Sequence, residues 1–142
     1  MTEQAVVRAL HQIHQIAEAG EKGFATAAVN MPNPALKVLF KIYAQQRLTY
    51  KNEILHHLRD MGVELQQSTS IPGIIHRGRL AIFAGMATDP KSQETMILKE
   101  AALGERIAAQ TYQRVLAKDL PAQTRELVAR QYVEVRKVSE RV

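Results

Sequence analysis

The chain has 142 residues, enough for one domain with a full hydrophobic core. It contains no cysteine, which excludes disulfides, thiolate zinc sites and thiol catalysis. The net charge of +5 is spread among both signs, and the basic runs HRGR at 76–79 and RK at 136–137 are too short to read as DNA-binding motifs, so nucleic-acid binding is disfavoured.

The N-terminus, MTEQAVVRALHQ, has no charged segment followed by an apolar run. No apolar stretch has the length needed to span a bilayer. The expectation is therefore a cytoplasmic protein with no membrane association. Aromatic residues are few and tryptophan is absent, which suits a helical core of Ala, Leu, Ile and Val.

The first segment places Val6, Leu10, Ile13, Ala17, Gly20, Phe24 and Ala27 at alternating spacings of four and three, the seam of a bundle helix. The run NMPNP at 30–34 breaks it, with Asn33 as N-cap and Pro34 at the first helical position of the next segment. The second helix, about 34 to 61, carries Leu36, Leu39, Phe40, Tyr43, Tyr50, Ile54, Leu58 and Met61 on one side. Gly62 ends it in the left-handed conformation. Residues 62–89 form an insert, and within it Ile71, Ile74, Ile75, Ile82 and Met86 predict a shorter helix over 71–86. Asp89–Pro90 starts the third helix, about 90 to 117, with Ile97, Ala101, Gly104, Ala108, Thr111 and Val115 in line. After the breaker KDLP, the fourth helix runs from about 121 to 141 with Leu127, Gln131, Glu134 and Val138 in line. There are no strand signals.

Short connections make helices one and two, and three and four, antiparallel neighbours. Helix two is about 40 Å long. The insert can cross that length, which permits a single long crossover; a decorated up-and-down bundle is the alternative. The two halves echo each other. AGEKG at 19–23 matches LGERI at 103–107, and YKNEI at 50–54 matches QYVEV at 131–135. A mid-helix glycine costs about 1 kcal/mol relative to alanine, so one at the same place in each half points to close helix approach.

The runs GEKGF at 20–24, YAQQR at 43–47, HRG at 76–78, GE at 104–105, and DLP followed by RQYVEV at 119–135 resemble an uncharacterised bacterial family of ferritin-like four-helix bundles. The resemblance spans nearly the whole chain with the motifs in the same order. It implies a ferritin-like four-helix bundle. With the insert read above, the expected fold is all-α in one domain over residues 1–142: a ferritin-like four-helix bundle with a long crossover containing a short extra helix between helices two and three. The resemblance implies little about activity. Ser139 stands where the family pattern has a histidine near the C-terminal end.

A di-metal bundle needs one Glu from each of two helices and a Glu-x-x-His from each of the other two. The carboxylates are present as Glu21, Glu53, Glu105 and Glu134. The histidines are incomplete. Three residues after Glu134 stands Lys137, a cation. Three after Glu53 stands His56, on a polar row with Gln45, Thr49 and Asn52 that faces water, so His57 is the better-placed imidazole. The candidate metal set is Glu21, Glu53, His57, Glu105 and Glu134, with His56 as the alternative ligand and iron or manganese as the metal.

The competing reading makes these glutamates a polar core that fixes helix register. In it Glu134 is buried on the seam with Arg47 as a partner, Tyr50 and Tyr112 donate hydrogen bonds, and Glu21 and Glu105, at the seam's flank, either join the network or are simply solvated. His11 and His14, three apart, read as ordinary helix-surface residues, with surface chelation as the lesser reading. His76 beside Arg77 offers at most an anion contact. The favoured function is a non-catalytic helical module acting through assembly, as a homo-oligomer and most simply a dimer, or through a protein partner; the exposed apolar surface expected for it is Ile74, Ile75, Ile82 and Phe83 of the insert. The alternative is a di-iron or di-manganese carboxylate protein with a degenerate ligand set, an oxidase or peroxidase in iron or peroxide handling.

Overall fold

The computed structural model describes residues 1–65 and 89–142. Among them are four helices and no strand: α1 (Glu3–Asn30), α2 (Pro34–Asp60), α3 (Pro90–Leu116) and α4 (Ala122–Arg141). The short helix expected over 71–86, its apolar residues and the HRGR run lie outside the described residues.

The helix boundaries follow from local chemistry. The Thr2 hydroxyl accepts from the Ala5 N–H at 3.1 Å and caps α1. Asn33 Oδ1 accepts from the N–H groups of Ala35 and Leu36 at 3.0 and 3.3 Å, and Pro34 follows where its missing N–H is harmless. Asp89 caps α3 in the same way, accepting from the Lys91 N–H and the Ser92 hydroxyl. Gly62 stops α2 with φ +81°. Its N–H reaches the Arg59 carbonyl, and the Val63 N–H reaches back to Leu58, each at 2.9 Å. That pair of bonds is a Schellman stop, which needs a residue without a Cβ at the left-handed position.

Side chains from all four helices fill two apolar clusters, one at each end of the bundle. One joins Leu10 and Ile13 of α1, Ile54 and Leu58 of α2, Tyr112 and Val115 of α3, and Val128 and Val135 of α4. The other joins Phe24 and Met31, Phe40 and Tyr43, Ile97 and Ala101, and Val138. The N-terminal half of α1 therefore meets the C-terminal halves of α2 and α3. It follows that α1 runs opposite to both, and that α2 and α3 run the same way. Direct helix packing joins α1 to α2, α1 to α3 and α3 to α4.

In α4 the buried row is Thr124, Val128, Gln131, Val135 and Val138. The sequence pattern had placed Leu127 and Glu134 on this row. Gln131 and Val138 are common to both, but steps of four from Thr124 and from Gln131 bring Val128 and Val135 inward. Leu127 is only half-buried, and Glu134 falls off the row with its side chain 43% exposed.

Asn33 also donates from Nδ2 to Glu94 of α3 at 3.1 Å, so one side chain both caps α2 and ties the first turn to the third helix. Asn33→Ala should cost about 1 kcal/mol in urea denaturation. Asn33→Asp keeps the cap acceptor but sets a carboxylate against Glu94. It should also be less stable than wild type at neutral pH, with a deficit that shrinks as salt is raised, which the alanine variant's does not.

Candidate functional site

Between the two clusters the apolar rows of α1, α2 and α3 each have a gap. Gly20 of α1, Arg47 of α2 and Glu105 of α3 fall in these gaps. Arg47 is 1% exposed and Glu105 is 2% exposed. The guanidinium grips the carboxylate with two parallel bonds, Nη1 to Oε1 at 2.7 Å and Nη2 to Oε2 at 2.5 Å. This fork geometry is what a planar guanidinium offers and an ammonium does not. Arg47 Nε donates to Gln46 Oε1 at 3.2 Å, and the guanidinium carbon lies 5.5 Å from the centre of the Phe24 ring.

Gly20 makes room for this side chain. A Cβ built on Gly20 would stand 3.2 Å from Arg47 Cγ and 3.4 Å from Nη1. The close helix approach expected from the sequence is thus a close approach of the α1 backbone to an arginine stem. Gly104, its echo in α3, lines a narrow apolar groove between α1 and α3 together with Gly23, Ala27 and Ala101.

A second polar group adjoins this layer. Gln131 of α4 is fully buried, and both ends of its amide are used. Its Oε1 accepts from the Tyr112 hydroxyl at 2.6 Å, and its Nε2 donates to the Tyr50 carbonyl at 3.2 Å and to Glu53 Oε1 at 3.0 Å. Glu53 also accepts from Arg130 Nη2 at 2.9 Å. Burial raises the Tyr112 phenol well above its ordinary value, so it stays protonated and donates. Burial, and then the charge of Glu134, push Tyr50 up to about 12.

The candidate ligands are distributed as follows. Glu21 sits at the α1–α2 surface, its side chain 24% exposed, and is held by Lys51 at 2.7 Å. Glu53 is held by Gln131 and Arg130, and its side chain is 30% exposed. His57 is half-buried, with Nε2 2.9 Å from the Thr124 hydroxyl at the end of the bundle. His56 faces solvent, as its polar row predicts, 3.6 Å from Asp60. Among the described residues no three His, Asp or Glu side chains come together as a group able to hold a metal ion.

Within the polar-core reading one alternative is decided and one expectation is corrected. Of the two readings of Glu105, core network or solvated flank, the structure has the first: it is the buried carboxylate. Glu134, expected to be buried with Arg47, instead bonds Lys137 at 3.2 Å on the surface. The cause in α3 is a tie. One turn beyond Ala101 falls between positions 104 and 105. Hydrophobicity alone selects Gly104, but the guanidinium arriving from α2 selects Glu105. Arg47 does not appear on the apolar row read from the sequence, because a charged side chain breaks such a row. The clue was in its position, four after Tyr43 and three before Tyr50, where the seam otherwise has a gap.

The sequence profile of the domain of unknown function DUF2383 matches residues 5–118. The chain belongs to this family. The match includes α1, α2, α3, Arg47 and Glu105, and it stops before α4, so the DLP and RQYVEV runs lie outside it or at its edge. No curated protein matches the chain.

Removing one partner of a buried ion pair leaves the other as an uncompensated charge. Arg47→Met should therefore cost about 3–5 kcal/mol in chemical denaturation. Arg47→Lys should recover only part of this, because an ammonium cannot make both bonds. At an open helix position Gly→Ala gains about 1 kcal/mol. Gly20→Ala should instead lose about 1 kcal/mol, because Arg47 is pinned by Glu105 and cannot move aside freely; a gain in melting temperature would contradict this.

Proposed function

We propose that this protein is a ferritin-like helical module that works by assembly or partner binding, with its centre closed by an ion pair in place of a metal. The observation that carries the reading is the Arg47–Glu105 fork. A di-metal centre needs carboxylate oxygens free to bridge and cap cations. Here a tethered cation holds both oxygens of Glu105, and Glu21, Glu53 and Glu134 are each bonded to a lysine or arginine. The ferritin-like topology is supported by the helix directions, because parallel α2 and α3 require a connection between opposite ends of the bundle. No described helix is long and apolar enough to cross a membrane.

Assembly is supported by apolar side chains on the described surface. Val38 and Ile42, one turn apart on the outer face of α2, are each 57% exposed, and Val29 at the end of α1 is 75% exposed. Val29 lines an open groove between α1 and α2 with Ala25, Ala44 and Leu48. Side chains of this kind are the usual core of a self-complementary contact.

Two measurements on the full chain test the reading. Elemental analysis of protein purified without chelator, followed by anaerobic ferrous titration, should find no stoichiometric iron or manganese. About two ions per chain, lost in Glu53→Ala and Glu134→Ala variants, would overturn it in favour of a di-metal oxidase or peroxidase. Light scattering should give a dimer that Ile42→Glu dissociates. A strict monomer with no protein captured in pull-downs would remove the basis for assembly.

A further inference from the structure

His14 is 5% exposed, although its place in the sequence reads as helix surface. Its ring lies nearly parallel to that of His11, with centroids 6.4 Å apart and an interplanar angle of 17°. In both rings Nδ1 is buried and has no hydrogen-bond partner. A buried ring nitrogen without a donor is tolerable in neutral imidazole, where it is a bare acceptor. In the imidazolium it becomes a donor with nothing to accept from it, carrying a charge out of water.

The charged groups bearing on His14 come from the two helices beside it. On α2, Lys51 repels a second cation, and its ammonium is already held by Glu21 at 2.7 Å. On α1, His11 repels in the same sense once protonated. Glu18, one turn on, acts the other way, but it is shared with Lys22 at 3.4 Å. Burial is the largest effect, and it holds His14 below the ordinary imidazole value of 6.5. Leu10 and Ile13 beside this pair belong to the same apolar cluster as Tyr50, Ile54 and Leu58 of α2.

We propose that the stacked His11–His14 pair is an acid-sensing element that loosens the N-terminal half of α1 from the C-terminal half of α2 as protons are taken up. The sign follows from linkage. The unfolded chain binds the proton near 6.5 and the folded chain resists it, so the contribution to stability is complete above 6.5 and is lost as pH falls from there toward the folded value.

The test uses the full chain at fixed ionic strength. Histidine ring titration by NMR should place the His14 midpoint below 6.5 in the folded protein; a midpoint at or above 6.5 would overturn the proposal. Between pH 7.5 and 5.0 the melting temperature should fall by roughly 3 °C. His14→Phe should remove most of that fall, and His56→Gln, at an exposed ring, should leave it intact. An equal fall in wild type and His14→Phe would also overturn it. If His14→Phe does not fold, the ring titration of the wild-type chain decides alone.

Discussion

A guanidinium and a carboxylate buried together at the middle of the bundle set the terms for everything around them. Two charges that have lost their water are tolerable only when each satisfies the other, and the fork between Arg47 and Glu105 does this with two short bonds. The requirement reaches α1, where Gly20 gives space to the arginine stem and Phe24 offers a ring face. It divides the apolar interior into two clusters, because neither leucine nor valine can occupy the layer the pair fills.

The same layer limits how the helices can slide. An apolar seam of alanines and leucines tolerates a shift of one turn at modest cost. A shift here would part Arg47 from Glu105 and leave both charges buried and unpaired. Gln131 adds a second fixed point, since its one amide is bonded to Tyr112 of α3 and to Tyr50 and Glu53 of α2. Fully satisfied polar groups of this kind specify one arrangement over its neighbours. The chemistry available at the centre is narrowed by the same bonds, because a carboxylate with both oxygens engaged is a poor ligand. The three other candidate glutamates are each bonded to a lysine or an arginine.

The helices themselves were legible in the sequence. Prolines, caps and the left-handed Gly62 are local signals, and they marked the ends of α2 and α3 to within a residue or so. The seam of α1 was legible for the same reason. What periodicity could not reveal was which polar residues go inside. Glu105 and Glu134 are both candidate core glutamates in the sequence, yet one is buried and the other is on the surface. The difference lies in the opposing helix: Arg47 of α2 faces Glu105, whereas Glu134 bonds Lys137 on its own helix. His14, which reads as helix surface along α1, is buried, and the spacing within its own helix does not record that. Pairings across the interior are properties of three-dimensional register, which a single sequence records only as interruptions of an apolar row.

The central claim is that Arg47 and Glu105 act as one unit. A double-mutant cycle tests it most directly, with Arg47→Met, Glu105→Met and the double variant compared with wild type by equilibrium denaturation. The account predicts that the two losses are far from additive, with a coupling of about 2 kcal/mol or more and a double variant more stable than either single one. Additive losses, with coupling within about 0.5 kcal/mol of zero, would mean that the two residues contribute independently and that the centre of the bundle is organised by something else.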